Sequence, residues 1–287
     1  GELLLGPVPL NVTLAVLDGA KGQTLDLHAN GFGLDLASVV ELMPEAIHRT
    51  LRRYGLDGNA DIAVHFEGPL DGPGPSLSAG MKLRDGRFTE RASGVVFRKV
   101  QGELSAEFTP QWTPKKLVVK GFSASSPSGP VGGGMELQGL KNAKLTAELN
   151  GDLALADLLR FVRVDTLEQV SGRLKAEAHI NGRVRDVEDF RATDLGGLAL
   201  SGTVDLKDAT LKLKGLRHRV TDLNASLALQ GNDATVHDLR FELQGNTMQL
   251  NGALRNLMPY LLFKDQRLTI EASGRSPKID LASWLVG

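Results

Sequence analysis

Hydrophobic and polar residues alternate along most of this chain with a period of two. The clearest stretches are Leu10, Val12, Leu14, Val16; Ile62, Val64, Phe66; Leu174, Ala176, Ala178, Ile180; and Leu223, Ala225, Leu227, Leu229. That period puts successive side chains on opposite faces of a strand, so each stretch predicts a strand with one apolar face. The residues between them are polar or charged, as Arg173, Lys175, Glu177 and His179 are, which predicts that the second face lies in water. Six dipeptides supply the positive φ of tight hairpins: Asp18-Gly19, Asp57-Gly58, Asp71-Gly72, Asp85-Gly86, Asn181-Gly182 and Asn251-Gly252. They predict the turns of a long antiparallel meander.

Few helices interrupt this pattern. Leu34 to Tyr54 is the longest candidate, capped by Asp35 and interrupted by Pro44, with shorter ones over Asp157 to Val164 and Asp280 to Val286. Ser123 to Gly134, rich in Ser, Pro and Gly, is expected to be a flexible loop or an excursion at the sheet edge.

One combination of strand, Gly and short apolar helix occurs three times. It reads LDLHANGFGLDLASVV from Leu25, LTAELNGDLALADLLRF from Leu145 and LTIEASGRSPKIDLASWL from Leu268, with DLAS repeated verbatim at Asp35 and Asp280. Gly31, Gly151 and Gly274 are 120 and 123 residues apart, which predicts a tandem array of long period. The expected division is 1–56, the tail of a preceding repeat with its terminal helix; 57–170, repeat unit one; and 171–287, repeat unit two. DGNADIAVHFEG at Asp57 matches SGRLKAEAHING at Ser171, an offset of 114, and AGMKLRDGRFT at Ala79 matches SGTVDLKDATL at Ser201, an offset of 122.

Composition narrows the function classes. The chain is 41% hydrophobic but only 5% aromatic, which suits a thin sheet lined by Leu, Val and Ala. A net charge of −1 gives no basic footprint for nucleic acid. The absence of Cys excludes a disulfide framework and Cys-ligated zinc. No stretch of about 18 apolar residues occurs, so this chain is expected to be soluble, with any anchor outside it.

Candidate chemistry is sparse. Gly31-Phe32-Gly33 precedes a helix, but Leu36 stands where a dinucleotide fingerprint needs its third glycine. Gly132 to Gly134 lacks the Lys-Ser/Thr of a phosphate loop. His65 and His179 occupy the same place in successive units, with acidic residues near them, a pattern open to metal ligation or proton sensing. No His-x-His, His-x₃-His or paired cysteine accompanies them, so they are read as members of a solvated face, and neither metal nor cofactor is expected. With no nucleophile elbow and no isolated carboxylate pair, the chain is not expected to be an enzyme. His48, Arg49, Arg52 and Arg53 give the first helix a basic end, which complements the helix dipole or meets anionic lipid head groups.

The strand-Gly-DLAS signature, its recurrence, and the closing run NLMPYLLFKDQRLTIEASGRSPKIDLASWL from Asn256 resemble the C-terminal region of the AsmA-like family, a relative of TamB and of the repeating β-groove, bridge-type lipid-transfer proteins. The resemblance covers nearly all of the chain. It implies a Gram-negative envelope protein of the periplasm, anchored in the inner membrane by a segment absent here and concerned with moving phospholipid toward the outer membrane. The fold class it implies is mainly β: an elongated, twisted antiparallel sheet of tandem repeats of about 120 residues, curled into an open groove, with short helices at the repeat corners.

The residue pattern leaves two solutions open for the apolar face. It meets acyl chains in an open trough, or two sheets cover each other as in a sandwich or solenoid. In the first case the lining is expected to include Val12, Leu14, Ile62, Val64, Phe66, Leu83, Leu104, Phe108, Leu174, Ala178, Ile180, Leu200, Leu227, Phe241 and Ile270, with phospholipid or another acyl lipid as the partner. In the second the chain is a non-catalytic scaffold of the envelope. Membrane or envelope proteins at the ends of the array are compatible with both.

Overall fold

The structure, a computed structural model, describes residues 1–5, 8–19, 22–41, 54–91, 94–157, 167–213 and 218–276. It is mainly β. The strands are β1 (Glu2–Leu5), β2 (Val8–Gly19), β3 (Gly22–Asp35), β4 (Tyr54–Pro69), β5 (Ser76–Glu90), β6 (Val96–Phe108), β7 (Pro114–Ser126), β8 (Gly129–Gln138), β9 (Lys141–Ala154), β10 (Leu167–Asp186), β11 (Leu198–Leu213), β12 (Val220–Gln230), β13 (Asp233–Leu243), β14 (Asn246–Arg255) and β15 (Thr269–Arg275). Among the described residues, α1 (Leu36–Glu41), α2 (Leu257–Leu262), a 3-10 turn (Ala192–Gly197) and helical residues 155–157 accompany them. Among the described residues strand order is chain order, without a crossover. The chain forms two compact units, Gly1–Pro127 with Gly132–Leu145, and Ser128–Val131 with Thr146–Gly287.

In the first unit, β2 to β7 pair antiparallel in order, and directly opposed residues share a face of the sheet. One row runs Val12, Ala29, Val64, Ala79, Ala106, Leu117, and the next Leu14, Leu27, Phe66, Leu77, Phe108. The opposite face carries Thr13, His28, His65, Ser78, Glu107 and Lys116. In the second unit, β10 to β15 repeat the separation. Ala176, Val204, Leu227, Val236, Gly252 and Ala272 share one face, while Glu177, Thr203, Ala228, Thr235, Ala253 and Glu271 share the other. All four alternating stretches singled out in the sequence are strands of these ladders.

The dipeptides divide into two classes. Asp18-Gly19 and Asp71-Gly72 sit at strand ends, as a meander requires, but Asp57-Gly58, Asp85-Gly86, Asn181-Gly182 and Asn251-Gly252 lie inside β4, β5, β10 and β14. Those four are corrections to the hairpin reading, and two of them mark β-bulges. Register slips between Asp57 and Asn59 and between Leu83 and Gly86, with Gly58 at φ 127° and Asp85 at φ 51°. An extra residue on one strand absorbs one step of the alternation, so the apolar positions of β5 run 77, 79, 81, 83 and then 86, 88 on the same face. The Gly-rich stretch is corrected as well: it forms the end of β7, a turn at 127–128 and most of β8.

The bulges recur. Gly58, Asp85, Lys99 and Gly121 mark them in β4 to β7, and Gly172, Asp208, Asp222 and Asp238 mark them in β10 to β13. Corresponding members are 114, 123, 123 and 117 residues apart. Pairing also shifts one sequence match by a residue. Met81 lies opposite Ile62 and Val204 opposite Ala176, an offset of 123, so the offset of 122 superposes residues of opposite faces.

Each unit closes part of its apolar face with a short helical segment. Asp35 caps α1: its carboxylate accepts from the Ser38 N–H at 2.9 Å and the Ser38 hydroxyl at 2.8 Å. Val39 of α1 then packs with Val8, Leu10, Ala29 and Leu34. In the second unit the helical segment begins at Leu155, two residues before Asp157, so Asp157 lies within it and is not its cap. Leu155 packs against Ala209 and Leu223. Of the first predicted helix, Leu34 and Asp35 belong instead to β3 and Tyr54 to β4; its residues 42–53 with the basic cluster His48, Arg49, Arg52 and Arg53, residues 158–164 of the second and the predicted helix over 280–286 lie outside the described residues.

Candidate functional site: the apolar face

The fifteen residues proposed as lining all lie on the apolar face of their unit. In the first unit Ile62, Met81 and Leu104 form one cross-strand row, Val64 sits in the row of Val12, and Phe66 lies between Leu14 and Phe108 through Leu27 and Leu77. Leu83 lies beside them, buried opposite Ala60. In the second unit Leu174 opposes Leu206, Ala178 opposes Gly202, Ile180 opposes Leu200, and Leu227 lies between Val204 and Val236. Phe241 opposes Met248 and Ile270 opposes Leu254. The pairing adds Leu27, Leu77, Met81, Val204 and Leu254, which the alternation of their own strands also marks.

Burial varies along this face. Leu83, Leu200 and Leu227 are nearly covered by neighbouring strands and helical residues, and Leu227 belongs to a cluster with Ala225, Ala234 and Val236. Val12, Ile62, Val64, Phe66, Leu104, Phe108, Leu174 and Ile180 are half-buried. Leu14 and Ile270 are 59% and 65% exposed. Among the described residues, the extensive contacts of β2 to β7 and of β10 to β15, apart from those with the short helices, are with their ladder neighbours. Trp112, in the β6–β7 connection, sets its ring edge against Phe66 at 5.9 Å and is itself exposed.

The opposite face is charged and wet. Lys82 donates to Glu103 at 2.6 Å, which holds the Glu103 carboxyl below its ordinary range, and Lys116 lies 3.1 Å from Glu136. In the second unit Arg255 pairs with Asp233 at 2.9 Å and lies 3.5 Å from Glu271. Such exposed pairs add little stability, and their main effect is to keep one face hydrated.

The two histidines singled out by sequence have different surroundings. His179 is exposed, with the Glu148 carboxylate 3.8 Å away. His65 stacks on His28, ring centroids 3.9 Å apart, and both Nε2 atoms lie at 2.9–3.0 Å from Asp26 Oδ1. Nothing in the sequence links His28 and Asp26 to His65, because they lie on another strand, 37 and 39 residues before it.

Comparisons with protein-family models, with curated proteins and with solved structures find no match to the chain.

Proposed function

We propose that this chain is a periplasmic segment of an envelope-biogenesis protein that holds phospholipid acyl chains against the apolar face of its sheet, as an open groove between inner and outer membranes. The observation that supports this most is the half-exposed apolar face, continuous in register across β2 to β7 and again across β10 to β15, on which, among the described residues of each unit taken by itself, no second layer of strands packs. Bulges at recurring offsets support reading the two units as copies of one repeat, which extends such a face without changing its character.

The energetics suit carriage. Leaving a bilayer for water costs about 0.8 kcal/mol per methylene, and a strand face of Leu, Val and Phe returns most of it. Transfer from membrane to protein is then close to neutral, so lipid enters and leaves without a deep trap. The alternative, a scaffold closed by mutual packing, is disfavoured by exposed Leu14, Val16 and Ile270 on this face. Native mass spectrometry of the chain purified from a Gram-negative periplasm tests the reading. Adducts with phospholipid masses, removed by organic extraction, are expected; a bare chain under conditions that preserve a control lipid carrier contradicts it.

A further inference from the structure

Asp26, His28 and His65 lie on the hydrated face, so lipid contact on the other face makes no use of them. Their convergence follows from register. Asp26 and His28 are two residues apart on β3 and therefore share a face, and His28 lies directly opposite His65 on β4. The two imidazole planes are 10° from parallel, and both turn Nε2 toward the same carboxylate oxygen, at 3.0 Å from His28 and 2.9 Å from His65.

We propose that these three residues form a binding site for a borderline divalent transition ion of the Zn²⁺ type. One ligand atom from each lies within 4.8 Å of the others. A tetrahedral ion with bonds of about 2.0–2.1 Å needs its ligand atoms about 3.3 Å apart, so the two Nε2–Oδ1 edges must open slightly and the stacked rings must splay until both in-plane lone pairs meet at the ion. Two imidazoles and one carboxylate favour Zn²⁺, Cu²⁺ or Ni²⁺ over Mg²⁺ and Ca²⁺, which prefer oxygen cages. Glu67, opposite Asp26 in the ladder, adds a second carboxylate to this face. Thr13 stands opposite His28 and Ser78 opposite His65, hydroxyls suited to orient the rings. All three ligands are open to solvent, with side chains 49%, 37% and 31% exposed for His28, Asp26 and His65, so the ion enters without unfolding and keeps a fourth position for water.

The test is isothermal titration of the tag-free chain with ZnCl₂, alongside thermal unfolding with and without the ion. One Zn²⁺ per chain is expected, with a higher Tm in its presence. His28→Ala and His65→Ala should each weaken binding by at least about tenfold, comparable to the smallest losses seen when ligand support is removed. His179→Ala, on β10 beside Glu148 and outside this cluster, should leave binding unchanged. His28→Gln and His65→Gln, which keep the side-chain bulk, serve if the alanine variants unfold. Absence of saturable Zn²⁺ binding, or binding and Tm shift undiminished when both histidines are replaced, overturns the proposal and leaves the cluster as a carboxylate shared by two rings.

Discussion

The backbone N–H of Asp208, a residue in the left-handed conformation at φ 48°, donates to Asn224 Oδ1 at 3.1 Å across the β11–β12 ladder. The arrangement recurs: Asp238, at φ 47°, donates its N–H to Asn251 Oδ1 at 2.9 Å, and Gly33, at φ 60°, donates to Asp61 Oδ1 at 2.9 Å. A bulge frees a backbone donor from the ladder, and in these three strands a side chain of the next strand takes it. Asn224→Ala and Asn251→Ala should each destabilise their unit by about 0.5–1.5 kcal/mol, read from urea unfolding. Lys99 takes the same backbone conformation at φ 51° without a short polar side chain to favour it. Lys99→Gly should therefore stabilise, by up to about 1 kcal/mol.

Gly58 and Gly172 hold the corresponding bulges of β4 and β10. A Cβ on Gly172 would come within 2.5 Å of the Ala209 Cα, and one on Gly58 within 2.8 Å of the Gly86 Cα, with φ at 108° and 127°. Backbone on the neighbouring strand cannot move aside as a side chain can. Gly172→Ala and Gly58→Ala are each expected to cost about 1–3 kcal/mol, whereas Gly231→Ala, in open space at a hairpin, should cost only its φ strain at 59°. Equal losses at all three sites would contradict the close-approach argument.

The cap on α1 predicts a pH dependence. The Ser38 hydroxyl, and after it the Ser38 N–H, hold the Asp35 carboxyl below its ordinary range. Since the folded value is the lower one, the stabilisation is complete above the unfolded value of about 3.9 and fades as pH falls through the folded value. Asp35→Ala should cost about 1 kcal/mol at neutral pH. The stability gap between wild type and variant should stay constant from pH 7 to pH 5 and narrow below about pH 4.

Exposure separates residues of the apolar face that are suited to testing contact from those that hold the fold. Leu227, 9% exposed within a packed cluster, should unfold its unit when replaced by Asp, by several kcal/mol. Leu14→Asp changes a side chain already 59% in solvent, so stability should hold within about 0.5 kcal/mol while lipid retention falls. Retention unchanged in a folded Leu14→Asp chain would remove the β2 end of the face from the contact surface.

The alternation of Ile62, Val64 and Phe66 marked both the strand and its apolar face because a period of two survives any tertiary arrangement. Asp85-Gly86 misled because a left-handed residue serves a hairpin and a bulge equally well. The distinguishing sign was a step of three in the apolar phase, from Leu83 to Gly86 and Phe88, which a strict search for twos passes over. Asn251 misled for another reason: its side chain serves the neighbouring strand, a role no local pattern records. The cap at Asp35 was legible because it is local. The Asp26–His28–His65 cluster was not, because within-strand spacing carries no information about which strand lies opposite.

The central claim, that acyl chains contact one face of the sheet, is tested most directly by photo-crosslinking a phospholipid analogue from probes placed at each position from Asp61 to Glu67. The β4 ladder sets Ile62, Val64 and Phe66 on one face and Asp61, Ala63, His65 and Glu67 on the other. Labelling that alternates, strong at 62, 64 and 66 and absent at 61, 63, 65 and 67, is the predicted result. Equal labelling of both phases, or none at Ile62, Val64 and Phe66, would contradict it.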